Sequence, residues 1–156
     1  MNVELINPFL KATLNVLSTM AQTEATPAKP IVKTEPVSWG VVNGVIGMAG
    51  NKLHANFVVS FDKPSILAIV SRMMMEEYSD VTPEVVDAVG EITNMIVGSA
   101  KRDLEELDHH FEMAIPMMVV GTEVEIAQQS GSMTLQVPFV TPEGKFVVEA
   151  TTKPNK

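Results

Sequence analysis

Thr82–Leu107 reads TPEVVDAVGEITNMIVGSAKRDLEEL, and this stretch decides how the rest of the chain is parsed. Thr82 has the side-chain oxygen that an N-cap needs. Pro83 suits the first helical position, where its missing N–H is not required, and Glu84 complements the positive end of the helix. At about 100° per residue, Val85, Val89, Ile92, Ile96, Ala100 and Leu107 fall on one side. Asp87, Glu91, Asn94 and Gly98 share a narrow sector on the other side. The apolar stripe predicts packing onto a sheet. The polar stripe predicts an outward face, with Gly98 leaving room for something to approach. Every amphipathic helix has a solvated face, so the stripe alone names no function.

Working outward, Val3–Ala21 carries Leu5, Ile6, Phe9, Leu10, Leu14, Val16, Leu17 and Met20 at helical spacing, with Asn7-Pro8 acceptable near the first turn. Residues 23–36 hold Pro27, Pro30 and Pro36 and read as a linker-like loop leading into an edge strand. Val41–Met48 and Leu53–Phe61, rich in Val and Ile around Gly50-Asn51, predict a β-hairpin. Lys63–Met75 returns to helical spacing, and Tyr78–Pro83 interrupts it. Extended segments are expected at Ile115–Val120, Met133–Val140 and Phe146–Thr151, punctuated by Gly121, Gly131 and Pro142-Glu143-Gly144. The order predicts an α+β fold with an antiparallel or mixed sheet covered by helices on one side. The C-terminal strands are expected to leave edges that need cover. Val45-Ile46-Gly47 and Val119-Val120-Gly121 echo each other, as an internal duplication or as chance.

The chain of 156 residues suits one domain, 1–156. Its apolar fraction of 46% and charged fraction of 19% fit a globular protein. Eleven basic and nineteen acidic residues give 11 − 19 = −8, which argues against nucleic acid or an anionic membrane as the main partner. Cys is absent, excluding disulfides and thiolate metal sites. Met1–Met20 lacks a basic run followed by a long apolar block, so no secretory leader is expected. No segment reaches the ~20 apolar residues that a bilayer span requires. A reducing cytoplasm is the expected setting.

Asp87-x3-Glu91-x2-Asn94 is followed by Pro116, and 116 − 94 = 22. With Ile6-Asn7-Pro8-Phe9, Ile46-Gly47 and Gly144-Lys145-Phe146, this resembles the CheC/CheX/FliY chemotaxis phosphatases. Their signature is Asp or Ser, three residues, Glu, two residues, Asn, and a Pro 22 positions later. The likeness runs from near Asn7 to near Ala150. Glu4-x2-Asn7 mimics a second motif, but Asn7 precedes Pro8 and position 29 is Lys29 rather than Pro. Asn7 is therefore read as a cap or structural residue, and a lone motif favours the CheX branch over the two-motif CheC type. His54 and Asn56 stand where the resemblance leads one to expect smaller residues and a Gly.

The resemblance implies dephosphorylation of a CheY-like receiver in chemotaxis or two-component signalling. An aspartyl phosphate has a good leaving group, so what remains is to place a water in line and supply matched polar contacts. A carboxamide both accepts and donates, which makes Asn94 the expected water-orienting residue. Glu91 is expected to pair with a receiver Lys. Asp87 and Gly98 would contact the partner, and Pro116 would shape a neighbouring segment. The chain would need no metal of its own, with Mg²⁺ supplied by the receiver. A homodimer is also implied. The competing readings are a receiver-binding adaptor without catalysis and a scaffold related to FliY.

Other residues read as structural. His109-His110 are adjacent, so they point apart and lack ligand spacing. Ser130-Gly131-Ser132 reads as a turn. Met73–Met75 and Met117-Met118 are expected to fill the core or a subunit interface rather than mark a promiscuous surface, and Trp39 is expected to pack.

Overall fold

In the computed structural model, which describes residues 3–125 and 132–155 (Val3 through its backbone alone), helix α1 spans Val3–Ala21. Short strands β1 (Thr26–Pro27) and β2 (Ile31–Val32) precede the hairpin β3 (Val42–Gly50) and β4 (Leu53–Phe61). Helices α2 (Lys63–Met74) and α3 (Pro83–Glu106) follow. The chain then forms β5 (Phe111–Met113), β6 (Met117–Val120), β7 (Met133–Val140) and β8 (Lys145–Pro154). The fold is α+β, as the element order predicts.

All strands join one antiparallel sheet in the order β1-β7-β8-β4-β3-β5, with β2 also on β7 and β6 also on β3. Alternation along the strands sends Val42, Ile46, Phe57, Val59, Phe61, Val137, Phe139, Phe146 and Val148 to one face, where they form a core with the helices. Phe9 of α1 stacks on Phe57 with ring centroids 4.9 Å apart, and Phe139 stacks on Phe146 at 4.7 Å. Each fully buried side chain of this size contributes about 1.5–3 kcal/mol. Of the expected C-terminal strands, β6 lies at an edge beside β3, whereas β7 and β8 do not. β8 lies between β7 and β4, and the short β1 and β2 cover β7, so the edges are β1/β2 and β5/β6.

The opposite face holds buried polar groups, and residues 33–40 cross it as a strap. Lys33 pairs with the buried Glu149 of β8 at 2.9 Å, and Gln136 of β7 donates to the other carboxylate oxygen at 2.6 Å. At the far end the Gly40 amide donates to Ser60 Oγ at 2.7 Å, Ser60 donates to Asn43, and Asn43 Nδ2 donates to the Val119 carbonyl at 2.9 Å. Every buried polar side chain of this network has a partner, which low-dielectric surroundings demand. The segment expected to be a plain loop is thus a tie across the back of the sheet.

Several expectations are corrected. Asn7 is exposed within α1 rather than capping it, and Pro8 is accommodated inside the helix over the expected Val3–Ala21. The expected strand Ile115–Val120 begins only at Met117. Ala114 donates to the Gly47 carbonyl at 3.0 Å, Ile115 is 90% exposed, and β5 is an additional strand upstream. The hairpin turn falls at Asn51-Lys52, one step beyond Gly50-Asn51. Val119-Val120-Gly121 does not open a second strand pair, because β6 pairs with β3 itself. Ser130 and Gly131 lie outside the described residues.

Candidate functional site

α3 is seated by a contact between backbone and side chain. A Cβ on Gly44 of β3 would lie 2.0 Å from Thr93 Oγ1, so the glycine lets the helix approach the strand directly. Thr93 is fully buried, and its hydroxyl donates to the Val89 carbonyl at 2.7 Å, which satisfies the group inside the core. Val85, Ala88, Val89, Ile92, Ile96, Val97, Ala100 and Leu104 bury the rest of the inner face. Leu104, not Leu107, ends this stripe: Leu107 caps the helix and is 42% exposed. At the other end Thr82 Oγ1 accepts from the Val85 amide at 3.3 Å, completing the predicted N-cap.

With that face fixed, Asp87, Glu91 and Asn94 are exposed and Gly98 is half-buried on the outward stripe. The helix therefore brings these four predicted residues together along one line. Among the described residues, no hydrogen bond or ion pair restrains the Glu91 or Asn94 side chain, so both are free for a partner. A Cβ on Gly98 would meet nothing within 4 Å. A glycine in a helix interior costs about 1 kcal/mol against alanine, and the described residues give no packing reason for it. None of the better-formed cavities is lined by Asp87, Glu91, Asn94 or Gly98. The stripe is thus an exposed helix face rather than the lining of one of these cavities.

Tyr78, in the segment between α2 and α3, packs on the core and bonds to the first turn of α3. Its hydroxyl donates to Glu84 at 2.8 Å, and this bond, with the nearby Glu76 carboxylate, pushes the phenol up to about 12. Beside it, the Val81 amide and then Lys63, 3.1 Å away, hold the Asp80 carboxyl below its ordinary value. Sequence reading missed both Tyr78 and the Gly44–Thr93 seat. A glycine inside a strand pattern was the available signal for the second.

Pro116 closes the unpaired step between β5 and β6, immediately before β6, the strand that contacts α3. The next inward side chain of that strand, Met118, stands with its sulfur 3.5 Å from a Cβ position on Gly90, the neighbour of Glu91. The histidines do not converge. His109 lies over Phe111, His110 sits 3.5 Å from Asp108, and His54 contacts Asn155 across the sheet. Among the described residues no group of three or more His, Asp or Glu side chains could hold a metal ion. His54 and Asn56 line a cavity of about 420 Å³ with Gly47, Glu112 and Lys153, at the hairpin end of the sheet and away from α3. Met118 packs on the core as expected, but Met75 and Met117 are 92% and 61% exposed, and Trp39 is also exposed.

The family described as Chemotaxis phosphatase CheX matches residues 42–140, which include the whole of α3 and Pro116. The chain belongs to the CheX family. The CheY-P phosphatase CheX of Thermotoga maritima is 31% identical over 96 residues, a match that spans 61% of this chain and 60% of that relative's length. A CheC-like superfamily protein from Shewanella sp. PV-4 superimposes with a TM-score of 0.91 at 38% identity, over 98% of this chain and 99% of that one. A Borrelia burgdorferi structure, described as the CheX-CheY-BeF3-Mg+2 complex, superimposes with a TM-score of 0.78 at 28% identity, over 99% of this chain and 100% of that one. These CheX and CheC-like structures share the sheet and helices described above. No described helix of this CheX-family chain is long and apolar enough to cross a membrane.

Proposed function

We propose that this protein, acting as one domain in the cytoplasm, dephosphorylates the aspartyl phosphate of a CheY-like receiver in chemotaxis or a related two-component pathway. One observation carries the reading: among the described residues, Glu91 and Asn94 stand exposed, unpaired and one turn apart on an exposed helix face of a CheX-family chain. The name of the Thermotoga relative and the Borrelia complex with CheY support it. Asn94 accepts a hydrogen bond from a water and holds it in line with phosphorus. The new oxygen–phosphorus bond forms as the bond to the aspartyl carboxylate breaks, releasing inorganic phosphate and the free carboxylate. Glu91 pairs with a receiver Lys and fixes the register, Asp87 contacts the rim, and Pro116 shapes the strand beneath. Mg²⁺ belongs to the receiver's pocket, as the composition of the Borrelia complex suggests.

The test follows loss of phosphoryl label from purified CheY-like receivers of the source organism, with and without this protein. Faster loss from at least one receiver is expected. Unchanged rates for all of them would sink the phosphatase reading, and tight binding without hydrolysis would favour an adaptor. We also propose a homodimer formed through a sheet edge. Met113, Ile115, Met117 and Val120 are exposed on β5–β6, an edge with unpaired backbone groups. Sedimentation that finds only monomer at tens of micromolar would refute it.

A further inference from the structure

The described glycines divide sharply by what surrounds them. A Cβ on Gly40, Gly44, Gly50 or Gly144 would come within 2.6 Å of a neighbouring atom, and Gly121 has a φ of +139°. At Gly47 and Gly90 it would stand 3.2 and 3.5 Å from Asn56 Oδ1 and Met118 Sδ. Gly98 differs from all of these. It lies in the middle of α3, and a Cβ there would meet nothing within 4 Å. Alanine would fit the space and favour the helix, so neither packing nor helix propensity within the chain accounts for the glycine.

Its place does. Gly98 follows Asn94 by four residues, so the two are neighbours on the same outward stripe. What a glycine offers there is bare helix backbone, open to a close approach. We infer that Gly98 is a specificity-determining clearance point, over which the main chain of the receiver passes when Asn94 reaches the phosphoryl group. This rests on the reading of α3 as the receiver-docking face. A methyl group at position 98 would hold the partner off the helix and displace Asn94 from the attacking water. A misplacement of about 1 Å is enough to cost on the order of a hundredfold in rate. Receivers with a bulkier loop at this point would be rejected for the same reason, so Gly98 selects among partners as well as admitting one.

The experiment compares the full-length wild type with Gly98→Ala. Three quantities are read: melting temperature, Kd for CheY-like receivers charged with beryllium fluoride and Mg²⁺, and kcat/KM for loss of phosphoryl label. The variant should melt about 2–4 °C higher, because it gains helix propensity in a chain of this size. Its Kd should weaken by roughly tenfold or more, and kcat/KM should fall further, by on the order of a hundredfold. A higher melting temperature with unchanged Kd and kcat/KM overturns the inference. A lower melting temperature overturns it too, because the glycine would then serve the fold. If the wild type binds receivers without hydrolysing them, the phosphatase reading falls, and the Kd comparison alone decides Gly98. If the wild type binds none of the receivers, both fall together.

Discussion

The two faces of α3 treat glycine in opposite ways. Beneath the helix, Gly44 is required because Thr93 Oγ1 fills the space that a Cβ would need. Above it, Gly98 borders empty space and serves no contact within the chain. The inner face is fixed by burial, with Ile92, Thr93 and Ile96 all at or near zero exposure. Among the described residues, the outer face leaves Glu91 and Asn94 without hydrogen-bond partners. Residues that adjoin in sequence therefore answer to different demands: Thr93 to the sheet and, on the proposed reading, Asn94 to a partner. Mutations on the inner face should change stability and carry activity along with it. Truncating the outer-face side chains Glu91 and Asn94 should change activity and leave stability near wild type, whereas Gly98→Ala should gain stability and lose activity.

The largest expected effect is on the outer face. Asn94→Ala should lower kcat by about a hundredfold, equivalent to ~2.7 kcal/mol of transition-state stabilisation. Complex formation and the melting curve should stay near wild type. Full activity on a verified receiver would remove the water-orienting role. Glu91→Ala sharpens the division within that face, since a contact made before reaction should appear in KM, raised roughly tenfold, more than in kcat. An equal fall in kcat alone would reassign Glu91 to the chemical step.

On the inner face, Gly44→Ala should destabilise the fold by about 1–3 kcal/mol through overpacking against Thr93. Melting should drop by about 2–4 °C for each kcal/mol. Activity per folded molecule should fall as well, because α3 must lift from β3. Loss of activity without loss of stability would break the comparison.

The smallest effect lies just before α3, where Tyr78 bonds to its first turn. The Tyr78 phenol is raised to about 12 by its bond to Glu84, so its protonated form is favoured in the folded state. That contribution is present below about pH 10, the ordinary phenol value, and is lost as pH rises through about 12. Phenolate absorbance should report the high midpoint. In Glu84→Gln the midpoint should move towards the ordinary value, with phosphatase activity at neutral pH unchanged. An unmoved midpoint would assign the shift to Glu76.

The inner and outer stripes of α3 were legible because they obey helical spacing and carry an N-cap and Pro at its start. The hairpin was legible from its two runs of β-branched residues. Short pieces were not: β1 and β2 have two residues each, and β5 has three, too few to display a period. Pro116 hid the boundary between β5 and β6, because an apolar run continues through it. Leu107 was placed on the buried side by angle, whereas the helix ends there and Leu104 takes the core position. The seat of α3 on Gly44 was beyond reach of local pattern, since it joins positions 49 residues apart (93 − 44 = 49). For the site, periodicity supplied the stripe and family likeness supplied its meaning. The empty space around Gly98 required coordinates.

That the outer stripe lines none of the better-formed cavities bears on how such an activity is kept in check. On the proposed reading, Glu91 and Asn94 are half of a reaction centre, and the other half, including the phosphoryl group and its Mg²⁺, arrives with the receiver. Small acyl phosphates dissolved in the cell would find no walls to detain them and no lysine to set the register. The free protein would then idle without wasteful turnover, and it needs no inhibitor to remain silent. Its output is set by how many charged receivers are present and how well each one fits.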